Sequence, residues 1–309
     1  MFRKAEILSR IELRQSTIKD WLSCPLMFRY RHVLQLAPSY RSLAAIHGSA
    51  LHLCIHRLHR GGFDLDLDLL YTQALEEVLE SESHIPIRWK KGVEEDRSIM
   101  MTHAEEILRG YVSHEQNRTS RLLYSEAKFR VRVSGMLLTG TIDQVRRIID
   151  GTLELVDLKS GMQRPFKRSL RLDWQMNLYA YALRYGELLI HDSWVKSRMK
   201  VTRTSIYFLR AHEIYKRDGK YGKKGCQKGQ PWISVEKPSW ELIQFKQELG
   251  NIIKMMTRDW AIPNTSSCGF CAYRDHCDDR SVMHLSHKFS KVSHLLSQDE
   301  EKRQRRGEI

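Results

Sequence analysis

The sequence predicts a mixed α/β (α+β) fold, a central mixed sheet flanked by helices, and three observations support it. Apolar residues recur at helical spacing through the first third of the chain; strict alternation begins at Ala127; helical periodicity returns over 172–184 and 239–258. With 309 residues, 41% of them hydrophobic, the chain can bury a substantial core.

Met1 to Gln15 mixes Arg3, Lys4 and Arg10 with Glu6 and Glu12 and contains no apolar run of signal-peptide or membrane-span length. This favours a cytoplasmic protein that does not enter membranes. Thr17 with Asp20 reads as a capping box opening a short helix, Ile18 to Leu22, which delivers Cys24 at its end before Pro25 interrupts the backbone. Helices are expected over 41–60, 66–83 and 94–117, the second with Leu69, Leu70, Ala74, Leu75 and Val78 at helical spacing.

The period then changes. Ala127, Phe129, Val131 and Val133 alternate with Lys128, Arg130, Arg132 and Ser134, as in a half-buried strand. Further strands are expected over 136–149 and 152–159, joined at Asp150-Gly151, a hairpin turn signal. A helix over 172–184, a strand over 204–210 and a long helix over 239–258 complete the core. Gln163–Arg171 and the Lys/Gly-rich Lys216–Gln230 read as basic loops, and 282–309 as a charged, partly disordered tail. The expected organisation is a helical region over 1–120, a sheet-bearing core over 121–262, a cysteine segment over 263–281 and the tail.

Lys and Arg outnumber Asp and Glu by 51 to 37, giving a formal charge of +14 and a pI near 9.5. Such a balance favours a polyanionic partner, nucleic acid first, although a general solubility charge would look the same. Three of the six cysteines fall in the stretch Cys268, Cys271 and Cys277, which is unlike a secreted disulfide framework and leaves thiolates for metal. Together with the remote Cys24 they supply four thiolates, a set that suits a [4Fe–4S] cluster or tetrahedral zinc, with His276 as a spare zinc ligand.

The middle of the chain carries candidate chemistry. Asp157 and Lys159 are two apart on one strand and share a face; alternating charge on an exposed strand is the plain alternative. Asp143 on the preceding strand joins that face only if the hairpin connection is odd in length. A bulge at Gly151 would set Asp143 opposite Lys159, and two carboxylates there suit Mg²⁺. Gln175 and Tyr179 share one face of a helix, as any amphipathic pair does. Gly48 and His52 lie on another helix, with His56 one turn further on, where an imidazole can add a metal ligand.

The order of these motifs resembles the PD-(D/E)XK nuclease superfamily, in its RecB-like branch. The matching positions are Gly48 to His52, Gly140 to Asp143, Asp157-Leu158-Lys159-Ser160-Gly161 and Gln175 to Tyr179, with Glu126 at a commonly acidic position. The cysteines make it similar to the iron–sulfur subclass of AddB nuclease domains and CRISPR-adaptation nucleases. The resemblance implies a restriction-endonuclease-like sheet with an iron–sulfur clasp. In it Asp143, Asp157, the Leu158 carbonyl and His52 would ligate Mg²⁺ or Mn²⁺, and Lys159 would position the attacking water. Gln175 and Tyr179 would support the site, while Arg164, Lys167, Arg168 and Arg171 would follow the DNA backbone. The implied function is a DNA exonuclease acting on single strands or DNA ends, in the nucleoid or in a host cytoplasm if viral. Without a Gly-x4-Gly-Lys-Ser/Thr loop, unwinding would need a helicase or recombination partner. The competing readings are a non-catalytic DNA-binding scaffold with this fold and a zinc-ribbon DNA-binding factor.

Overall fold

The computed structural model describes residues 13–81, 83–212, 231–238, 240–256 and 262–278. The basic segment Lys216–Gln230, with Cys226, and the tail 282–309 lie outside the described residues. The chain separates into two compact units, one formed by Met1–Ser39 with Asn251–Ile309 and the other by Tyr40–Gly250.

In the first unit, α1 (Gln15–Ser23) ends at Cys24, whose extended backbone (φ −161°) breaks the helix, and Pro25 opens α2 (Pro25–Phe28). Proline suits a first helical position because the N–H it lacks would be unpaired there. The helix starts earlier than the capping motif suggests. Thr17 lies inside the first turn and its hydroxyl accepts from the Arg14 N–H at 3.2 Å. Asp20 does not cap α1; it takes Arg31 Nη1 at 3.0 Å and His32 Nε2 at 2.8 Å. Cys24, Leu26, Tyr30 and Tyr273 form a buried cluster, with Cys271 and Cys277 packed against it.

The second unit begins with α3 (Leu43–Gly61), α4 (Leu67–Ser81) and α5 (Val93–Gln116), within one or two residues of the predicted spans at most ends. Ser42 Oγ caps α3 by accepting from the Ala45 N–H at 3.2 Å. Arg41–Ser42 pairs in parallel with Ile87–Arg88, apart from the main sheet of this unit. The main sheet contains β1 (Arg121–Val133), β2 (Met136–Arg147), β3 (Leu153–Lys159), β4 (Glu187–Ile190), β5 (Ser193–Lys196), β6 (Val201–Phe208) and β7 (Trp232–Glu236). Their order is β7-β6-β3-β2-β1-β4-β5, with β3 and β6 parallel and the other neighbours antiparallel. The β3 to β6 crossover contains α6 (Lys167–Arg171) and α7 (Trp174–Tyr185), and α8 (Trp240–Met256) follows β7. The segment read as a loop over 163–171 thus ends in a short helix, anchored by buried Leu170.

Val156 and Leu158 join the apolar core of α3, α4 and α5, while Asp157 between them meets Gln175 of α7. Successive strand side chains point to opposite faces, so the sheet carries α3–α5 on one side and α7 on the other. A buried polar network ties α5 to the central strands: Arg146 Nη2 donates to Glu115 Oε2 at 2.7 Å, Arg118 Nη2 to Glu154 Oε2 at 2.8 Å, and Gln144 Nε2 to Tyr111 Oη at 2.7 Å.

The β2–β3 hairpin has an odd connection. Ile148 N–H donates to the Thr152 carbonyl, leaving Ile149-Asp150-Gly151 as the turn, with Gly151 at φ +83° and Asp150 Oδ1 accepting from both Thr152 groups. The register pairs Gln144 with Val156 and Val145 with Leu155, so continuing it aligns Asp143 with Asp157. The expected alignment with Lys159 is therefore corrected by two residues. Parity is unchanged, and all three side chains share a face.

A Cβ at Gly48 would stand 2.7 Å from Ser160 Oγ but 3.9 Å from Ser160 Cβ, so only the rotatable hydroxyl is crowded. Gly48→Ala is expected to cost no more than about 1 kcal/mol, by forcing Ser160 into another rotamer. The double variant Gly48→Ala with Ser160→Gly should recover most of that loss in thermal melts; no recovery would place the strain elsewhere.

Candidate active site

Five elements deliver the site. α3 brings His52, β1 brings Glu126, β2 brings Asp143, β3 brings Asp157 to Lys159, and α7 brings Gln175 and Tyr179. His52, Glu126 and Asp143 are the one set of three metal-ligating side chains among the described residues whose ligand atoms lie within 4.8 Å of one another. His52 Nδ1 stands 3.7 Å from Glu126 Oε1 and 3.7 Å from Asp143 Oδ2. Glu126 reaches this position through a left-handed backbone (φ +52°) inside β1. That conformation costs a non-glycine residue on the order of 1–3 kcal/mol and is typical of functional positions.

The backbone of Leu158 organises the site from both sides. Its N–H donates to Asp143 Oδ2 at 2.7 Å, and its carbonyl accepts from His52 Nε2 at 3.1 Å. The second contact fixes the imidazole so that Nδ1 faces the carboxylates, the arrangement in which a histidine ligand is held through its other ring nitrogen. A carbonyl oxygen has two lone pairs, so one remains.

Asp157, 1% exposed, is gripped at both oxygens: Oδ1 accepts from Gln175 Nε2 at 2.7 Å and Oδ2 lies 2.7 Å from Lys159 Nζ. Gln175 also donates to Tyr179 Oη at 2.9 Å and accepts from Lys159 Nζ at 3.2 Å. One glutamine thus sets the carboxylate, ammonium and phenol relative to each other.

The electrostatics show a surplus of buried negative charge. Burial, with Asp157 and Glu126 adding and His52 opposing, pushes the Asp143 carboxyl up to about 7. Burial likewise raises Asp157 despite the attraction of Lys159. At His52, burial disfavours the charged ring but Asp143 and Glu126 outweigh it, holding the imidazolium up to about 9. At Lys159, burial is outweighed by Asp157, so the ammonium is held above its ordinary range. Tyr179 is raised by burial and by both aspartates and stays protonated. A donor set of carboxylates, an imidazole and a backbone carbonyl, short of positive charge, fits a hard divalent cation such as Mg²⁺ or Mn²⁺.

A pH dependence follows for the metal-free protein. A group whose folded pKa is raised stabilises the fold below its unfolded pKa, and that contribution is lost as pH rises through the folded value. Asp143 loses its contribution between about pH 4 and 7, and His52 between about 6.5 and 9. Melting in EDTA is therefore expected to occur at lower temperature at pH 9 than at pH 6, and Mg²⁺ should recover more stability at pH 9 than at pH 6. A flat profile in EDTA would contradict the buried-charge surplus.

His56, one turn beyond His52, is outside this cluster and bonds Ser125 Oγ at 3.1 Å. Of the basic run, Lys167 and Arg168 are exposed, Arg164 is half-buried, and Arg171 Nε is paired with Glu241 Oε1 at 2.9 Å. Asp173, absent from the sequence reading, caps α7 through Met176 N–H at 2.9 Å and acts on Asp157 and Lys159 electrostatically. An Asp in the first turn of the helix expected over 172–184 was the available signal.

The four cysteines lie together in the first unit, unbridged by disulfides. Burial raises the Cys277 thiol, and Cys271, Cys24 and Cys268 all add to the shift. Asn264 N–H points at Cys24 Sγ at 3.3 Å, and the Tyr30 phenol lies against Cys277 and is pushed up to about 12, chiefly by burial. A thiol quartet with a backbone donor is a suitable ligand set for a metal centre.

No curated protein matches the sequence significantly. Among solved structures, a candidate exonuclease from Eubacterium rectale is similar at 10% identity, covering 89% of this chain and 90% of its own, with a TM-score of 0.47. The structure of SSO0001 is similar at 10% identity over 88% of this chain and 89% of its own, with a TM-score of 0.36. The model of the PD-(D/E)XK nuclease superfamily matches residues 12–278, and this match, spanning both the acidic site and the cysteines, shows that the chain belongs to that superfamily.

Proposed function

We propose that the protein is a divalent-metal-dependent deoxyribonuclease, an exonuclease acting on single-stranded or end-bearing DNA. The observation that carries this reading is the convergence of His52, Asp143, Asp157 and Lys159, with Glu126, beside the C-terminal end of β3. His52 Nδ1, the Asp143 and Asp157 carboxylates and the free lone pair of the Leu158 carbonyl would hold Mg²⁺ or Mn²⁺. The bound ion would supply charge neutralisation at the scissile phosphate and a lowered pKa for water.

The remaining work falls to this chain's own groups. Lys159, kept charged by Asp157, can donate at once to an attacking water and to a non-bridging phosphate oxygen. Gln175 keeps that ammonium and Asp157 in register. Tyr179, kept protonated, backs Gln175 as an acceptor of its amide proton. The Lys167 and Arg168 side chains supply positive charge for the strand leading into the site. Intact acidic and basic groups argue against the scaffold reading. In the described residues no helix is long and apolar enough to cross a membrane. Since no unwinding motif is present, a separate helicase would supply single strands.

We further propose that Cys24, Cys268, Cys271 and Cys277 hold a [4Fe–4S] cluster, with zinc as the alternative. Three closely spaced ligands and one remote ligand followed by proline favour the cluster over the paired Cys-x2-Cys knuckles usual in zinc ribbons. The activity is tested on end-labelled single- and double-stranded DNA, each blocked in turn at the 5′ or 3′ end, in Mg²⁺, Mn²⁺ or EDTA. Metal-dependent loss of label by the wild-type protein and none by Asp143→Asn is expected; equal degradation by both, or none by either, would overturn the reading.

A further inference from the structure

Among the most exposed large apolar side chains of the described residues are Met162 (70%), Phe166 (81%) and Leu172 (78%), all within the thirteen residues that follow Lys159. They are interleaved with Arg164, Lys167, Arg168 and Arg171. Isolated exposed leucines need no explanation, but an exposed aromatic set among cations does.

The segment is not a loose loop. Both of its ends belong to the acidic site: Lys159 precedes it, and Gln175, which bonds Lys159 and Asp157, closes it. Its middle is pinned as well. The Phe166 carbonyl accepts from Ser169 Oγ at 2.8 Å and from the Ser169 and Leu170 N–H groups at 3.1 and 3.2 Å. Leu170 is buried at 1% exposure and Arg171 is held by Glu241. Phe166 is therefore presented to solvent by an anchored backbone, beside Lys167 and Arg168, which are exposed and form no ion pair among the described residues.

Resting on the nuclease reading, we propose that Phe166 is a stacking platform for an unpaired base of the strand engaged by the acidic site, with Met162 and Leu172 forming its apolar rim. An aromatic face set among cations matches the two chemistries of a single strand, flat bases and a phosphate chain. A paired duplex hides its base faces, so the platform selects single strands or frayed ends. This makes the substrate class a property of the segment after Lys159, separate from the metal site.

The test measures binding in EDTA, so that nothing is cut, by fluorescence anisotropy of a labelled oligothymidylate and of an abasic strand of the same length and charge. Phe166→Ala is expected to bind the base-bearing strand about 5- to 100-fold more weakly, as for loss of one stacked base. It should bind the abasic strand as the wild type does, and Phe166→Trp should keep affinity for both. Unchanged affinity of Phe166→Ala for the base-bearing strand would overturn the proposal and leave the segment as a protein-contact surface. Equal weakening on both strands would also overturn it, since that reports charge or fold. Failure of the nuclease reading appears separately, as absence of metal-dependent cleavage by the wild type.

Discussion

Asp143→Asn is expected to lower kcat/KM for DNA cleavage by about 10³-fold or more while raising the melting temperature of the metal-free protein by several degrees. The two effects have one cause. Asp143 is buried beside Asp157 and Glu126, and its carboxyl is pushed up to about 7, so at pH 8 its charge is held against the preference of the fold. Removing that charge should return on the order of 1–3 kcal/mol, and a chain of this size gains about 2–4 °C per kcal/mol. Asparagine keeps an oxygen to accept from the Leu158 N–H, so the hairpin geometry survives. It cannot supply the anionic oxygen that a divalent cation demands. Melting in EDTA at pH 8, beside initial cleavage rates in Mg²⁺, reads both. Retention of more than a tenth of the activity would remove Asp143 from the reacting centre. A lowered melting temperature would contradict the stored charge.

Cys271→Ala is expected to act on the fold of the other unit instead. The sequence separation that the proposed cluster would close, Cys24 to Cys268, is 268 − 24 = 244 residues. Borrowing the chain-entropy relation for disulfides, fastening such a loop restricts the unfolded state by about 5 kcal/mol, comparable to the stability of a whole domain. The buried cluster around it is small, consisting of Cys24, Leu26, Tyr30 and Tyr273 with a few partly buried neighbours, and cannot replace that constraint. The variant should lose the visible absorption and about four irons per chain, become poorly soluble, bind DNA weakly and be cut rapidly by protease within 1–39 and 251–278. Full iron content, or unchanged stability and activity, would refute the structural role. Lys159→Ala makes the contrast: folded and DNA-binding, but inactive.

The helices were legible because their apolar spacing is local. Leu69, Leu70, Ala74 and Leu75 mark α4, and Leu70, Ala74 and Leu75 are buried as that spacing requires. β4 and β5 were missed. Their connection is His191-Asp192, both at positive φ (46° and 60°), a turn geometry usually signalled by Asn-Gly. β7 was missed because five residues beside a basic segment carry too little pattern. Thr17 misled because a capping sequence also occurs one turn inside a helix. Phe166 was passed over because its segment reads as a basic loop from its charges alone, and the exposure of one aromatic within it is a tertiary property.

By itself the sequence determined the fold class and the elements that bear His52, Asp143, Asp157, Lys159, Gln175 and Tyr179; it put the acidic residues on one face only on condition of an odd hairpin connection, which the structure supplies. The fold class and those elements follow from period and type, which are properties of neighbouring residues. Only the tertiary structure decided that Asp143 aligns with Asp157, that Glu126 bends its backbone to meet His52, and that Leu158 holds both the aspartate and the imidazole. Register depends on a three-residue turn that Gly151 allows at φ +83°, and ligand spacing on the packing of α3 against the end of β3. Such distances between remote residues are set by packing, which no local pattern encodes.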